Sequence, residues 1–417
     1  MMKTFMLVSL TILCLIGGTS WAATNHVVET LDYQPWYEPA GLVIEPGDTV
    51  TWNNPSFHTV THTDLLTTGK PAFHKMLGPG ESLTHTFTEA GDFDYLCALH
   101  PWMKGKVLVQ SGRAPVKKGE IWVAAQFANQ IQIVDPDTDK VVDAIHVGNN
   151  PHNIWFSPNG EFAYVTSWHD DELFKIDVKK RTVLEKVEVG PAPAHVYTSP
   201  DGTIYTTVMG ANYITIIDGN TYKVSGKIET SQGPHGFWPT PDWKYFVVAD
   251  SHAADATIVD IAEGKAIAHI PTGVVPLGAS VTPDGKKAYI GNGISGTVSV
   301  LDLTTMKKIK DIKVGGLPVQ TPVNAKYKYA VVPNKGLGVV HIIDTRTDTI
   351  KKTVTTAHGA HGADFSLDGN FAYVTNTFDN TVTKIDLETF TTKQIPLWGG
   401  PNTSGAQGVT VLRVVPN

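Results

Sequence analysis

A strand pattern that ends in an apolar residue and aspartate recurs along most of this chain. Its seven aspartates are separated by 41 or 42 residues and are Asp135, Asp177, Asp218, Asp260, Asp302, Asp344 and Asp386. A unit of this length accommodates four short strands, whose sheet is buried only when neighbouring units stack against it. The repeat therefore predicts an all-β chain in which residues 120–417 form a seven-bladed β-propeller.

The two ends of the repeat predict how the propeller closes. The first unit begins at its second strand, IWVAAQF, whereas the chain ends in a spare first strand, AQGVTVLRVV. We expect this C-terminal strand to pair with the first unit and to complete blade 1. Closure of this kind removes the open sheet edges that otherwise promote aggregation.

The segment Tyr373-Val374-Thr375-Asn376 resembles the motif of the YVTN family of propellers, and the similarity extends over residues 120–417. This resemblance implies the same seven-bladed fold. It implies no particular function, because one fold carries many unrelated sites.

The first 23 residues have the features of a cleaved secretory signal peptide. Lys3 precedes an apolar run, and the small residues Ala22 and Ala23 follow it. The apolar run is shorter than the roughly 18 residues that a membrane-spanning helix requires. We therefore expect a periplasmic protein without a membrane span.

The composition argues against one class of partner. The formal net charge is -7 at pH 7, and lysine and arginine form no cluster that would contact a phosphate backbone. Nucleic-acid binding is therefore not expected. A small neutral or anionic substrate is compatible with this charge.

Residues 24–111 predict a second, smaller all-β domain, and a polar linker over residues 112–119 separates it from the propeller. Short alternating strands lie between turn pairs such as Pro-Gly, Gly-Asp and Asn-Asn. This pattern is typical of a small antiparallel sandwich. Once the signal peptide is removed, Cys97 is the only cysteine of the chain, so an internal disulfide is excluded.

Cys97 begins a C-x2-H-x2-M loop that continues to His100 and Met103, and His58 lies upstream. A thiolate, two imidazoles and a thioether are the ligands of blue-copper electron-transfer sites. Two other interpretations are a buried cysteine that packs as a small apolar side chain and a tetrahedral zinc site, which rarely uses methionine.

The segment FDYLCALHPWMKGKVLVQ resembles the ligand loop of amicyanins, which are relatives of plastocyanin and pseudoazurin. The resemblance implies a cupredoxin domain that holds one type 1 copper ion through His58, Cys97, His100 and Met103. It also implies that His100 lies near the surface, in an apolar patch with Trp102 where redox partners dock.

Seven of the ten histidines in the propeller region fall on one predicted face of the disc. The four strands of a blade alternate in direction. The loop that leads from one blade to the next therefore lies on the same face of the disc as the loop between the second and third strands of a blade. The seven are His152, His169, His195, His235, His252, His358 and His361. Equivalent positions elsewhere carry Leu277, Val319, Gln320 and Gln407, so one side of the ring lacks imidazole and is open to a substrate.

Neutral imidazoles that converge without carboxylates or thiolates favour copper, with zinc and iron as weaker fits. We therefore predict a histidine-bound copper site on this face, with His152, His195 and His235 as catalytic ligands. Asp170 is assigned a catalytic role beside them, to orient an imidazole or to move a proton. The alternative is that the repeat loops carry histidines as unrelated surface residues.

This layout resembles two families of copper enzymes built on propellers. Nitrous oxide reductases hold a copper cluster with histidines on one face and receive electrons from a cupredoxin domain, and thiocyanate dehydrogenases carry a histidine-bound copper cluster. The present chain departs from the first family, because its cupredoxin-like domain comes first and offers only Cys97 where that family's binuclear centre needs two cysteines. The resemblance implies a copper site but no particular substrate.

Together these features predict a copper-dependent oxidoreductase that couples the type 1 centre to the propeller copper and acts on a small inorganic nitrogen or sulfur species. We expect a soluble redox partner, either a cytochrome or a cupredoxin, and a homo-oligomer is compatible with the sequence. Two other functions fit the same residues. One is a non-enzymatic electron carrier with the propeller as a docking platform, and the other is copper storage or delivery.

Overall fold

The computed structural model describes residues 23–31, 36–401 and 405–416. The predicted signal peptide lies outside these residues, apart from Ala23. β-Strands dominate the described part of the chain, which also has one helical turn, α1 (Asp64–Thr67), and a short 3-10 turn at Gln126–Ala128. No helix in this part is long and apolar enough to cross a membrane. The prediction of an all-β chain is confirmed.

The N-terminal unit, here called the sandwich, consists of two sheets around one apolar core. The first sheet contains β1 (Asn25–Thr30), β2 (Tyr37–Glu38), β4 (Thr49–Asn53) and β7 (Ser82–Thr86). The second contains β3 (Gly41–Ile44), β5 (His58–His62), β6 (His74–Leu77), β8 (Gly91–Leu96) and β9 (Lys104–Val109). Trp52, Tyr95 and Val107 are among the side chains buried between them.

The sandwich differs from the antiparallel prediction at two pairs of strands. β1 runs parallel to β4, and β3 runs parallel to β9. In both pairs the chain passes through the opposite sheet before it returns to its partner. The sequence pattern missed this because alternation of apolar residues reports which face of a strand is buried, not the direction of the neighbouring strand.

Seven four-stranded antiparallel sheets follow within residues 121–411. Propeller sheet 1 contains β10 (Ile121–Ala125), β11 (Gln130–Asp135), β12 (Lys140–His146) and the last strand, β37 (Ala406–Val411). Sheet 2 contains β13 (Pro151–Phe156), β14 (Phe162–Ser167), β15 (Glu172–Asp177) and β16 (Thr182–Glu188), and sheet 3 contains β17 (Pro193–Thr198), β18 (Ile204–Val208), β19 (Tyr213–Asp218) and β20 (Lys223–Glu229).

The remaining four sheets repeat this order of strands. Sheet 4 contains β21 (Pro234–Pro239), β22 (Tyr245–Asp250), β23 (Asp255–Asp260) and β24 (Lys265–Pro271), and sheet 5 contains β25 (Pro276–Val281), β26 (Lys287–Asn292), β27 (Thr297–Asp302) and β28 (Lys307–Lys313). Sheet 6 contains β29 (Val323–Asn324), β30 (Tyr329–Asn334), β31 (Val339–Asp344) and β32 (Thr349–Thr355), and sheet 7 contains β33 (Ala360–Phe365), β34 (Phe371–Asn376), β35 (Thr381–Asp386) and β36 (Thr392–Pro396).

The first strand of each sheet is the inner strand, and β37 takes that place in sheet 1. Inner strands of successive sheets contact one another, as β13 contacts β17, β17 contacts β21 and β21 contacts β25. β37 pairs antiparallel with β10 and contacts both β33 and β13. This is the pairing predicted for the spare C-terminal strand, and the β-propeller fold is confirmed.

Each repeated aspartate shapes the turn after a third strand. Asp218 Oδ1 accepts hydrogen bonds from the backbone N–H groups of Asn220 and Thr221 at 3.0 and 2.8 Å. Asp302 and Asp386 accept from the two equivalent N–H groups of their own turns. An aspartate that bonds the backbone just after it stabilises a tight turn. The period of 41 or 42 residues therefore records one such hairpin turn in each sheet.

The sandwich packs directly on the propeller. Gln130 Nε2 donates a hydrogen bond to the Gly41 carbonyl oxygen at 2.6 Å, and the Trp36 and Phe127 rings stack with centroids 6.5 Å apart. A Cβ atom on Gly41 would overlap the indole of Trp398, which belongs to the propeller. The sandwich is thus held in one position by buried contacts as well as by the linker.

We predict that Gly41→Val releases the sandwich from the propeller, because the added side chain cannot fit against Trp398. The linker over residues 112–119 then becomes sensitive to limited proteolysis, while thermal unfolding of the propeller changes little. Gly91→Val is the matched control, because a Cβ atom there is 3.4 Å from its nearest neighbour. Equal protection of the linker in both variants would contradict the docked arrangement.

Propeller sheet 4 departs from its neighbours at one buried polar position. Sheets 5 and 7 end their second strand with Asn292 and Asn376, whose amides donate to hydroxyls of the next strand at 2.9 and 2.8 Å. Sheet 4 has Asp250 there, and it lies opposite Asp255. Burial, together with the negative charge of Asp255, raises the pKa of Asp250 to about 8. Asp250 is therefore protonated at neutral pH, and its Oδ2 accepts a hydrogen bond from the Thr257 backbone N–H at 2.9 Å.

We predict that Asp250→Asn stabilises the protein at neutral pH. The folded pKa of Asp250 lies above the unfolded value of 3.8, so the folded state binds more protons and loses stability as the pH rises from about 4 to about 8. The amide removes this loss, which amounts to roughly 2–4 kcal/mol in free energy of unfolding at pH 7. Urea unfolding at pH 4 and pH 7 measures the difference, and a variant that is less stable at both values would refute the interpretation.

Candidate metal centres

The first cluster, here called the sandwich cluster, lies where β5 meets the loop between β8 and β9. Cys97 Sγ lies 3.7 Å from His58 Nδ1 and 3.6 Å from His100 Nδ1. His58 and Cys97 are buried, whereas His100 is half-buried. Met103 ends the loop and is buried in the same apolar core as Cys97. The structure thus brings together the side chains that the loop motif and upstream histidine predicted.

These separations fit one ion bound by all three side chains. Bonds of about 2.3 Å to sulfur and about 2.0 Å to nitrogen, at a tetrahedral angle, place the two ligand atoms about 3.5 Å apart. The backbone N–H of Thr59 donates to Cys97 Sγ at 3.3 Å and fixes the position of the sulfur. Backbone hydrogen bonds between Cys97 and Met103 and between Met103 and His100 hold the loop at 3.0 and 2.8 Å. The site is therefore preorganised for a metal ion.

His100 lies in an apolar part of the surface. Its neighbours in the loop, Leu99 and Trp102, are each 49% exposed, and Phe57, which precedes His58, is 64% exposed. The Trp102 ring packs edge-on against His100 with centroids 5.4 Å apart. We call these exposed side chains the His100 patch, as the resemblance to cupredoxins implied.

The second cluster lies at the centre of the ring of inner strands, and we call it the histidine cluster. It consists of His152 on β13, His195 on β17, His235 on β21 and His361 on β33, and all four side chains are buried. Ligand nitrogens of the first three lie within 4.8 Å of one another. The His361 ring lies 5.7 Å from that of His152.

Local sequence features produce this convergence. Each of the four histidines lies where the register between the first and second strands shifts, and such a bulge redirects a side chain. Glycine follows two of them, as Gly236 and Gly362. A Cβ atom on Gly236 would lie 2.5 Å from the Leu277 carbonyl oxygen of the next inner strand. Glycine therefore allows the inner strands to approach closely enough for their imidazoles to meet.

The ring nitrogens of the histidine cluster are short of hydrogen-bond partners. Both nitrogens of His152 and of His195, and Nδ1 of His361, are buried without one. His235 Nδ1 lies 2.7 Å from the Leu277 carbonyl oxygen, and donation there leaves Nε2 with a free lone pair. An unpaired buried polar atom costs about 1–3 kcal/mol, so several in one place require an explanation. A shared metal ion provides one, and nitrogen donors without a carboxylate suit copper.

Burial keeps these imidazoles neutral. It lowers the pKa of His235 to about 4 and holds the pKa values of His152, His195 and His361 well below the usual value. Neighbouring imidazoles and the charge of Lys335 add smaller effects in the same direction. Neutral imidazole is the form that binds a metal, so the cluster can bind one well below neutral pH.

We predict that the metal-free protein loses stability as the pH falls from about 6.5 to about 4. The folded pKa of His235 lies below its unfolded value of 6.5, so the unfolded chain binds more protons in this window. His235 alone accounts for about 3 kcal/mol of lost free energy of unfolding. Urea unfolding of His235→Gln should show a flatter pH profile, whereas the control His358→Gln, at a side chain that is 83% exposed, should keep the wild-type slope. Identical profiles for all three proteins would contradict this prediction.

Three predicted ligands lie outside the histidine cluster. His169, His252 and His358 are exposed on the connections of sheets 2, 4 and 7. His358 Nδ1 lies 2.8 Å from Asp379 Oδ2. His252 is close enough to add a small effect to the burial that lowers the pKa of His235. The exposed histidines therefore form a rim around the cluster and are not among its buried rings.

Asp170 is engaged with its own loop. Its carboxylate accepts hydrogen bonds from the Asn149 backbone N–H and the Ser167 hydroxyl at 2.5 and 2.8 Å. Partial burial alone would raise the pKa of Asp170, but these hydrogen bonds hold the pKa below its usual range. Within the described residues, its hydrogen bonds tie the loop after β14 to the loop before β13 and do not reach an imidazole.

Two further residues lie at the histidine cluster and were missed from the sequence. The Trp168 ring packs edge-on against His152 with centroids 4.8 Å apart and lies 6.1 Å from the His235 ring. The charge of Lys335 acts on His152, His235 and His361. Both residues directly follow the second strand of their sheets. The sequence repeat therefore contained a signal for them, because this position could have been compared from unit to unit.

Comparison with protein families identifies the propeller. A family described as YNCE-like beta-propeller matches residues 37–322. The matched range begins in the sandwich and ends directly before β29. None of the curated proteins matches the sequence.

Solved structures share the fold at low sequence identity. Hydrazine synthase of Kuenenia stuttgartiensis has a TM-score of 0.60 at 21% identity and covers 66% of this chain and 98% of its own. The dihydro-heme d1 dehydrogenase NirN in complex with DHE has a TM-score of 0.57 at 16% identity, with 73% and 78% covered. A functionally unknown protein from Desulfotomaculum acetoxidans DSM 771 has a TM-score of 0.61 at 16% identity, with 71% and 100% covered. At these identities the similarities concern the fold alone.

Proposed function

This chain belongs to the YNCE-like beta-propeller family, and we propose that it is a periplasmic copper-dependent oxidoreductase. In this proposal the sandwich is a cupredoxin domain that holds one type 1 copper, and the seven sheets of the propeller are blades around a second copper site. The substrate is a small inorganic nitrogen or sulfur species. The observation that carries the proposal is the histidine cluster, whose buried neutral imidazoles have nitrogens without hydrogen-bond partners.

Copper bound at the histidine cluster would supply Lewis acidity and a change of oxidation state at one place. The residues of the chain provide the conditions for this chemistry. Burial keeps the imidazoles neutral, and the Leu277 carbonyl fixes the tautomer of His235. Trp168 covers His152 and limits the access of water from the loop side.

Contacts that lead from the sandwich cluster to the propeller support electron transfer within one chain. Thr59 donates its N–H to Cys97 Sγ, and its carbonyl oxygen accepts the Tyr37 hydroxyl at 2.6 Å. Trp36 precedes Tyr37 and stacks on Phe127 of the propeller. Packed and hydrogen-bonded groups therefore extend from Cys97 Sγ to the interface between the sandwich and the propeller.

The contacts continue on the propeller side of the interface. Phe127 follows Gln126, whose side-chain oxygen accepts a hydrogen bond from Gln407 Nε2 at 2.6 Å. Gln407 lies on the inner strand β37, which contacts β33, the inner strand that carries His361 of the histidine cluster. In our proposal this route couples the two metal sites.

The His100 patch supports docking of a soluble redox partner, a cytochrome or another cupredoxin. His100 is the half-buried ligand of the sandwich cluster, and the exposed Leu99 and Trp102 flank it. The same observation also favours the second candidate function, a blue-copper electron carrier in which the propeller is a docking platform. The two functions differ in whether the histidine cluster binds copper.

Counting copper in variants separates these functions. We predict that the wild-type chain binds copper at both clusters and has an intense blue absorption. The triple variant His152→Gln, His195→Gln, His235→Gln should lose only the propeller copper, and Cys97→Ala should lose only the copper of the sandwich cluster, together with the blue absorption. Elemental analysis and visible spectroscopy of the full chain measure both.

The matched control removes the same number of histidines from the exposed rim, as His169→Gln, His252→Gln, His358→Gln. It should keep the wild-type copper content. A single copper per chain that is unchanged in the His152, His195 and His235 variant would overturn the enzyme proposal in favour of the electron carrier. Zinc in place of copper at the histidine cluster would overturn its redox role.

A further inference from the structure

Lys335 occupies the side of the ring that lacks imidazole. It directly follows β30 of propeller sheet 6, between Leu277 of sheet 5 and His361 of sheet 7. Its backbone N–H donates to the Leu317 carbonyl oxygen at 2.8 Å, which fixes the start of the loop. The residue is half-buried, so part of its side chain is withdrawn from solvent.

Lys335 occupies in sheet 6 the repeat position that Trp168 occupies in sheet 2, where the indole packs against His152. The charge of Lys335 acts on the imidazoles of His152, His235 and His361, where it adds to the effect of burial. Within the described residues, Lys335 forms no ion pair with a carboxylate. Its Nζ lies over the ring of Phe378, 5.5 Å from the ring centroid, in the loop that follows the second strand of sheet 7. The nearest recorded neighbour of the cation is therefore an aromatic ring without charge.

The aromatic ring is a favourable neighbour for the ammonium group but supplies no counter-charge. A partly desolvated cation without a counter-charge is costly, and a cation beside a site for a metal cation also opposes metal binding by repulsion. A small anion bound between them reverses both effects, because it is attracted by the ammonium group and by the metal. A neutral ligand reverses neither.

Building on the proposed function, we infer that Lys335 makes the histidine cluster a site for a small inorganic anion. This inference narrows the substrate class from nitrogen or sulfur species in general to those that are negatively charged. Lys335 binds and positions the anion, and the histidines bind the metal. The net charge of the chain is -7 and would repel an anion. The attraction therefore has to come from a local cation, Lys335.

Azide, used as a probe anion, tests this inference on the full-length, copper-loaded chain. Calorimetric titration should show azide binding about ten- to a hundredfold weaker in Lys335→Gln than in the wild type, the range expected when a charged partner is removed. Lys335→Arg keeps the charge and should retain most of the affinity. The matched control is Lys313→Gln, which removes the same charge from the exposed end of β28 and should bind azide as the wild type does.

Two further measurements separate a direct role of Lys335 from a structural one. Copper content should be unchanged or higher in Lys335→Gln, because a repulsive charge has been removed, and affinity for imidazole, a neutral ligand, should be unchanged. Loss of copper, or equal weakening of azide and imidazole, would show a structural role and overturn the inference. Wild-type azide affinity in Lys335→Gln would overturn it as well.

Failure of the proposed function is recognised separately. A wild-type chain without copper at the histidine cluster contradicts the proposed function, and azide is then titrated into the metal-free chain. If azide binds to the metal-free chain and this binding depends on Lys335, the inference of an anion site holds without the metal. Absence of such binding refutes the anion site too.

Discussion

Pairing of β37 with β10 closes the propeller, because β37 is the inner strand that lies between β33 and β13. Closure brings His361 within 5.7 Å of His152, although about half of the chain separates them in sequence. Threonine hydroxyls of second strands then bond the inner strand of the next sheet. Thr207 donates to the His235 carbonyl at 2.6 Å, and Thr375 donates to the Gln407 carbonyl at 2.5 Å. The histidine cluster exists only because the ring is complete.

The chemistry at the centre of the ring follows from its charges. The ligand atoms there carry no negative charge, and Lys335 is the positive charge beside them. Within the described residues, the ligand atoms that meet belong to His152, His195 and His235, with no carboxylate or thiolate among them. Buried neutral imidazoles neutralise no charge, so a metal ion bound to them keeps its full positive charge. Lys335 adds a further positive charge at the same place. An electropositive, partly water-free site of this kind attracts anions, which joins the metal proposal to the proposed substrate class.

The two clusters differ in exposure in a way that suits different tasks. The sandwich cluster has one half-buried ligand, His100, in an apolar surface, whereas the buried histidine cluster is surrounded by inner strands. A site that exchanges electrons with another protein needs a ligand near the surface. A site that binds a small molecule needs an enclosed position. Contacts such as Trp36 on Phe127 hold the two domains in one relative position. The fixed interface lets our proposal assign both tasks to a single chain.

Features that depend on residues near one another in sequence were accessible from the sequence. The repeated aspartates marked the propeller because each bonds the turn that follows it, as Asp218 does. The spare C-terminal strand predicted closure, and Cys97, His100 and Met103 predicted one candidate metal centre because a single loop carries all three. The parallel pairing of β1 with β4 and of β3 with β9 was not accessible, because burial patterns do not encode strand direction.

Only the tertiary structure decided which of the seven face histidines meet. His152, His195, His235 and His361 lie in bulges of inner strands and point to the centre, whereas His169, His252 and His358 lie on exposed connections. Lys335 likewise became part of the site only when sheet 6 took its place in the ring. The sequence by itself determined the repeat, its closure and the ligand loop of the sandwich, because turn hydrogen bonds and loop spacing are local. The composition of the central site was decided by the tertiary structure, because it depends on the distances between inner strands that closure of the ring creates.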